Sequence, residues 1–282
     1  MAAPSDDYPR TGDLPTDGVP IRPAATLLLL DDRPDLHVLA LRRTTRSTFV
    51  ANHTLFPGGA LDPDDHDPRW PDLVQGWTPA DADEALGVDA GALAFWVAAI
   101  RETIEESGIA VGCTPDVVAH RTGLDAGTVR LSDLLANDGG LDLSGVWPVA
   151  RWVTPAGGPK RYDTYFFLAA APPGAEAVAD GTEAVGVEWM RPAVALDRWR
   201  DGGLTMISPT ISMLQSLEPY GTAAEALAVA EAAQGAPRRR ARVLDESLDL
   251  VRFPGDPGYE AAGTREAYGW VWLPSGGASP EH

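Results

Sequence analysis

Cysteine is almost missing from this chain. Cys113 stands alone among 282 residues, which excludes an intramolecular disulfide and a cysteine-based zinc centre. Lysine is as scarce: Lys160 is the only one, and arginine supplies the rest of the 22 basic residues. Against 41 acidic residues this leaves a formal charge of −19. Phosphate backbones are bound by basic surfaces, so a nucleic-acid polymer is not an expected partner, and neither is an anionic membrane. Long apolar runs are lacking too. "AATLLLL" is far too short to span a bilayer, and "MAAPSDDYPR" has neither the basic nor the apolar region of a signal peptide. The expectation is a soluble, cytoplasmic protein. A small polyanionic substrate remains compatible with this charge, provided metal ions or local arginines neutralise it.

Apolar residues make up 44% of the chain and include nine tryptophans, which is ample for a core and excludes wholesale disorder. Residues 1–22, rich in Pro, Asp and Gly, read as a mobile leader. "AATLLLLDDRPDLHVLALRR" gives two apolar runs around a turn, a β-hairpin pattern. "TLFPGGALDPDD" reads as a short strand breaking into a Gly-rich turn. From His66 to about Ala90 the chain is acidic and punctuated by Pro and Trp, and reads as a long functional or disordered loop. A helix is predicted over roughly 90–107, closed by Gly108, and another near 127–138. "WPVARWVTP" and "RYDTYFFLAAAP" read as strands, and "AVGVEWMRPAVAL" as a strand leading into a helix. "SPTISMLQSLEPYGTAAEALAVAEAA" gives helical material split near Pro219, before an Arg-rich and then irregular tail. Strands and helices intermingle, so the class is α/β or α+β around a mixed sheet.

The chemistry concentrates in "RETIEESGI", residues 101–109. On a helical wheel Leu93, Val97, Ile100 and Ile104 share one side, and Glu102, Glu105 and Glu106 fall opposite. A solvated acidic face is the simplest reading of such a run. Two features weigh against it. The acids sit at the C-terminal end, where the helix dipole disfavours negative charge, and Ala98 and Ala99 beside them leave room for a ligand. A hard divalent cation shared with substrate phosphates would relieve the repulsion.

Gly59, Asp65, Arg101-Glu102, Glu105-Glu106 and Gly108-Ile109 resemble the Nudix box, G-x5-E-x7-R-E-U-x-E-E-x-G-U. Thr103 replaces the usual aliphatic residue, Asp65 replaces a glutamate, and 35 residues separate Asp65 from Arg101 where the standard box has 7. An insertion inside the box, after "FPGG" and an Asp-rich stretch, is similar to the branch of coenzyme A and acyl-coenzyme A diphosphatases. The likeness covers roughly residues 24–220, although "LRRTTRSTFVANHTLFPGG" only partly matches that branch's coenzyme A signature.

The resemblance implies an α/β/α sandwich around a mixed sheet. It places the Nudix domain at 23–205, with an insertion at about 66–92 and a helical and irregular extension at 206–282 on the same domain. It implies hydrolysis of the diphosphate linkage in a small nucleoside diphosphate derivative with Mg²⁺ or Mn²⁺. Coenzyme A or acyl-coenzyme A leads as substrate; ADP-ribose or a nucleotide sugar is the alternative, and a non-catalytic nucleotide-binding module the alternative of another class. Glu102, Glu105, Glu106 and Gly59 are the implied metal site, and Arg101 an orienter of Glu105. Glu102 or Glu183 is the general base, with Glu188 a weaker candidate. Arg42, Arg43, Gly58, Arg161 and Tyr165 are candidate substrate contacts. Arg46 and Lys160 are further local cations, and Tyr162 and Phe166 further rings able to stack a base or line an acyl tunnel. A homodimer is the oligomeric state the resemblance suggests.

Overall fold

The computed structural model describes residues 8–14, 17–44, 52–243, 251–252, 258–259 and 268–273. The two apolar runs form β1 (Ile21–Asp32) and β2 (Leu36–Arg43), paired antiparallel as the hairpin pattern predicts. β3 (Thr54–Leu55) and the glycine strand β4 (Gly58–Ala60) follow. The 66–92 stretch is not a loose loop. It contains α1 (Trp70–Leu73), β5 (Val74–Gln75) and α2 (Pro79–Leu86), and leads into α3 (Leu93–Ser107). Then come α4 (Arg121–Asp125), α5 (Leu131–Leu135), β6 (Leu141–Asp142), β7 (Trp147–Val153), β8 (Arg161–Ala170) and β9 (Ala184–Met190). The helix expected near 127–138 is shorter at both ends: Gly127, with φ 63°, sits in a turn before it, and after Leu135 the chain runs through turns to Gly139 and Gly140, both with positive φ. The chain continues with α6 (Pro192–Arg200), α7 (Ser208–Leu217), α8 (Ala223–Ala232), β10 (Arg239–Val243), β11 (Val251–Arg252) and β12 (Tyr268–Val271).

The large sheet runs β11-β10-β12-β7-β8-β1-β2-β3, with β4 beside β1 and β9 beside β2. Only β1 and β8 run parallel within it; the other pairs are antiparallel, so the sheet is mixed. The run Leu27–Leu30 explains the layering. Alternate side chains of a strand face opposite ways, and all four leucines are fully buried. Leu27 and Leu29 pack toward α3 and the inserted helices, whereas Leu28 and Leu30 pack toward α6, α7 and α8. Each buried leucine stabilises the fold by about 1.5–3 kcal/mol. A strand apolar on both faces needs cover on both, and the result is a three-layer α/β/α arrangement.

The insertion is part of the core. Trp70, Ala82 and Leu86 are buried, Trp77 stacks 4.8 Å from Trp96 of α3, and the Trp77 indole donates to the Leu143 carbonyl. The leader and the tail also differ from expectation. Tyr8 and Leu14 are buried against Val153 and Trp270, and the tail contributes strands to the sheet where irregular chain was expected. The physical reason is that β7 would otherwise be an open edge whose apolar face lacks cover.

Candidate active site

α3 carries the charged motif, and thirteen of its fifteen residues are buried. Its apolar side packs with the insertion and the sheet, while the face opposite Leu93, Val97, Ile100 and Ile104 lies against β4 and the turn after it, with only Glu102 partly exposed. Glu105 and Glu106 are 6% and 7% exposed. A solvated acidic face is thereby excluded. The helix ends at Gly108 in a left-handed conformation (φ 70°), and its amide donates to the Ile104 carbonyl.

Arg101 organises the carboxylates. Its Nε and Nη2 donate to the two oxygens of Asp65, both at 2.9 Å, and Nη2 also donates to the Ala60 carbonyl at 3.1 Å. Nη1 reaches Glu102 at 3.0 Å and Glu105 at 2.8 Å. Every guanidinium donor is used. Asp65 also accepts from the Asp62 amide, so a buried carboxylate shorter than glutamate still ties the turn after β4 to α3. Thr103, at the usually aliphatic position, is fully buried, and its hydroxyl donates to the Ala99 carbonyl one turn back.

The glycines of β4 are required by close approach. A Cβ on Gly59 would stand 2.5 Å from Oε1 of Glu102, and one on Gly58 would collide with the Ala25 carbonyl and Thr26. The Gly58 amide donates to Glu106 at 2.8 Å. β4 is placed there by pairing with β1, Gly59 opposite Ala25 and Gly58 opposite Thr26.

Around this core opens a cleft of about 180 Å³ lined by Asp62, Arg101, Glu102, Glu105, Glu106, Asp125, Asp180 and Glu183. Burial dominates its electrostatics. It pushes Glu102 up to about 7 against the pull of Arg101, and Glu105 up to about 8. Glu106 is raised well above the carboxylate range by burial and by the charge of Glu102. Among the described residues no three acidic, His or Cys side chains already stand in a finished metal-ligand arrangement. Arg101 and the Gly58 amide hold the glutamates instead. The donor set nonetheless fits a hard divalent cation: all oxygen, strongly under-neutralised, with Oε1 of Glu105 buried and without a hydrogen-bond partner.

The other expected residues divide sharply. Arg43 lies at the cleft mouth, its Nη2 paired with Glu183 Oε2 at 2.9 Å. Arg42, the residue before it on the strand, is exposed and lies beside Gly186 of β9, outside the cleft lining. Arg161 and Tyr165 are corrections. Both are 1% exposed; Arg161 donates to the Thr154 carbonyl and pairs with Asp17, and the Tyr165 hydroxyl donates to the Leu86 carbonyl. Phe166 faces the opposite core. Strand periodicity sends these side chains into packing. Glu188 pairs with Arg198 at 2.6 Å, outside the cleft lining. Arg46 lies outside the described residues.

Asp62, Asp125, Asp180 and Arg121 were not anticipated. Asp62 was within reach of the sequence, three residues past Gly59. Asp125 and Asp180 sit on distant segments that only the tertiary fold brings in. Arg121 straps the site: its Nε donates to the Glu105 carbonyl and its Nη1 to the Val178 carbonyl at 2.8 Å. The Val178 amide in turn donates to the Ser107 carbonyl. A cation on the last turn of α3 offsets part of the acidic cluster's conflict with the helix dipole. Asp180 accepts from the amides of Thr182, Glu183 and Ala184 and so shapes the loop that presents Glu183. Burial pushes the Cys113 thiol up to about 12, away from the reactive thiolate form, and Cys113 does not line the cleft.

We found no family model that matches the chain. The crystal structure of a Nudix hydrolase from Alicyclobacillus acidocaldarius is 30% identical, with a TM-score of 0.63, over 75% of this chain and 97% of that one. The acyl-coenzyme A diphosphatase NUDT19 of Gallus gallus is 25% identical over 253 residues, 67% of this chain. The match covers 65% of that relative, slightly under two thirds of its length. Among the described residues no helix is long and apolar enough to cross a membrane.

Proposed function

The chain belongs to the Nudix hydrolases, and from that premise we propose that it cleaves the diphosphate linkage of a nucleoside diphosphate derivative with Mg²⁺ or Mn²⁺. The leading substrate is coenzyme A or an acyl-coenzyme A, giving 3′,5′-ADP and the (acyl-)phosphopantetheine. One observation carries the reading. Three glutamates of one helix, Glu105 and Glu106 buried and Glu102 partly so, stand against a glycine strand, in a cleft whose only lining cation among the described residues is fully engaged. Such an arrangement is costly without a ligand, because buried uncompensated charge is destabilising.

Glu102, Glu105 and Glu106 would hold the cations. When bound, these supply Lewis-acid stabilisation of phosphoryl oxygens and lower the pKa of an attacking water. Arg101 keeps Glu102 and Glu105 in place and locks the β4 turn through Asp65. Gly58 and Gly59 let the backbone approach closely. Glu183, half-exposed at the cleft mouth, is the candidate to take the water's proton, with Glu102 the competing choice. The coenzyme A assignment draws support from the chicken relative and from the insertion inside the box.

The test is hydrolysis of coenzyme A, acyl-coenzyme A, ADP-ribose and nucleotide sugars with either metal, resolved by product. Release of 3′,5′-ADP, lost by a factor on the order of 10²–10³ in Glu106→Gln, is the expected outcome. Preferential cleavage of ADP-ribose would overturn the coenzyme A assignment. Tight nucleotide binding without turnover by the unmutated chain would overturn the enzymatic one.

A further inference from the structure

We propose that Arg43 is a positioning residue that exchanges partners: in the free protein it holds Glu183 at the cleft mouth, and on binding it transfers to a phosphoryl oxygen of the diphosphate, releasing the Glu183 carboxylate into the cleft. The proposal deepens the diphosphatase reading and rests on it.

The cations around the cleft are not equivalent. Arg101 has all its donors committed to Asp65, Ala60, Glu102 and Glu105. Two donors of Arg121 are committed to backbone carbonyls that fasten the end of α3. Moving either would dismantle the site. Among the described residues Arg43 has one side-chain partner, the Glu183 carboxylate, whose side chain is 56% exposed. An ion pair with so exposed a partner is held weakly, whereas a guanidinium bond to phosphate is charge-assisted and suits bidentate geometry. In addition, Nε of Arg43 is buried with no hydrogen-bond partner among the described residues; Nη2 of Arg121 is too, but the other donors of Arg121 hold the end of α3 in place.

The backbone keeps both residues in reach while their side chains change. The Arg43 amide donates to the His53 carbonyl, and the Thr44 amide donates to the Glu183 carbonyl at 2.9 Å. β2 and the Glu183 loop are thus zipped together at the base of the pair, with Asp180 fixing the loop from below. Glu183 already lines the acidic cleft. Seven carboxylates there repel an anionic substrate, and drawing Arg43 onto the phosphate offsets part of that repulsion at the moment of binding.

The experiment measures binding of methylenediphosphonate, which has no cleavable P–O–P bridge, by calorimetry with saturating Mg²⁺. Arg43→Ala is expected to weaken binding by about tenfold, and Arg43→Lys to restore part of it. Glu183→Gln is expected to tighten binding several-fold, because the anion no longer competes with a carboxylate for Arg43. General loss of cleft repulsion is read from Asp125→Asn, which removes a lining charge without touching Arg43; exchange predicts a clearly larger gain in Glu183→Gln, and that gain vanishes when Arg43→Ala is combined with it. Unchanged or weakened binding in Glu183→Gln overturns the exchange, as does unmutated affinity in Arg43→Ala. If Arg43→Ala melts early, the comparison of Arg43→Lys with Glu183→Gln, which keep chain length and hydrogen bonding, decides the matter. The expected binding pattern without turnover of any diphosphate would remove the hydrolase reading and leave the exchange intact. Turnover without the pattern would remove the exchange alone.

Discussion

Arg101 commits every donor it has, yet among the described residues Glu106 receives only the Gly58 amide and one oxygen of Glu105 receives nothing. The result is a site that works against the stability of its own metal-free fold. Glu102 and Glu105 titrate near 7 and 8 in the folded protein, above their ordinary carboxylate values. Between the unfolded and folded values the native state holds protons that the unfolded chain has already lost. The stability these groups contribute is therefore fully present below the unfolded pKa and lost as pH rises through about 7–8. The melting temperature of the metal-free protein is expected to fall between about pH 5 and about pH 8.5. Glu106→Gln should flatten that fall and raise the melting temperature at the alkaline end, while turnover drops by a factor on the order of 10²–10³. Thermal melts across this range in the presence of a chelator check it; a metal-free melting temperature that climbs with pH would contradict it. Added Mg²⁺ should restore stability in the unmutated protein only.

The element that gained most from the structure is the insertion of residues 66–92. Acidic and punctuated by Pro and Trp, it reads in the sequence as a long loop. In the fold, Trp70 is 2% exposed and its indole donates to the Asp64 carbonyl, next to the Asp65 that Arg101 grips. Arg69 joins Asp67 and Asp133, and its Nη2 donates to the Ser132 hydroxyl. The insertion therefore braces the back of the charged helix. Trp70→Ala is expected to cost about 3–5 kcal/mol in chemical denaturation, as for other buried tryptophans. Trp70→Phe should lose less, because it keeps most of the buried area. A surface-like change in Trp70→Ala would show that the insertion is not part of the cooperative unit. α3 itself was legible, from its apolar spacing through to Gly108, because its pattern is local.

At the scale of the whole molecule, the two ends of the described chain meet over one buried ion pair. Arg151 and Asp163 are bound at 2.8 Å through two parallel contacts, each side chain about 2% exposed. Thr11 donates to Asp163, Arg151 donates to the Pro9 carbonyl, and Tyr8 packs edge-on to Trp270 at 5.0 Å. Breaking a buried pair's surroundings is expensive because the charges are then left uncompensated. Tyr8→Ala is expected to destabilise the fold by about 3 kcal/mol, with a smaller effect on catalysis than on the denaturation midpoint. If the midpoint does not move, the leader is dispensable to the fold.

Spacing along the chain already carries the helix with Glu102, Glu105 and Glu106, the glycine turn before it, the α/β class, the β1–β2 hairpin and the family resemblance. These depend on spacing within one or two elements, and spacing is what a sequence displays. Tertiary structure decided that the acids are buried, that Arg43 lies at the cleft, and that Arg161 and Tyr165 belong to the core. It also brought Asp125, Asp180 and Arg121 to the site. Those outcomes depend on which face of a strand is covered and on contacts between residues far apart in the chain. The 35 residues between Asp65 and Arg101 show both sides. Their length was visible at once, but only packing shows that they support the box they interrupt.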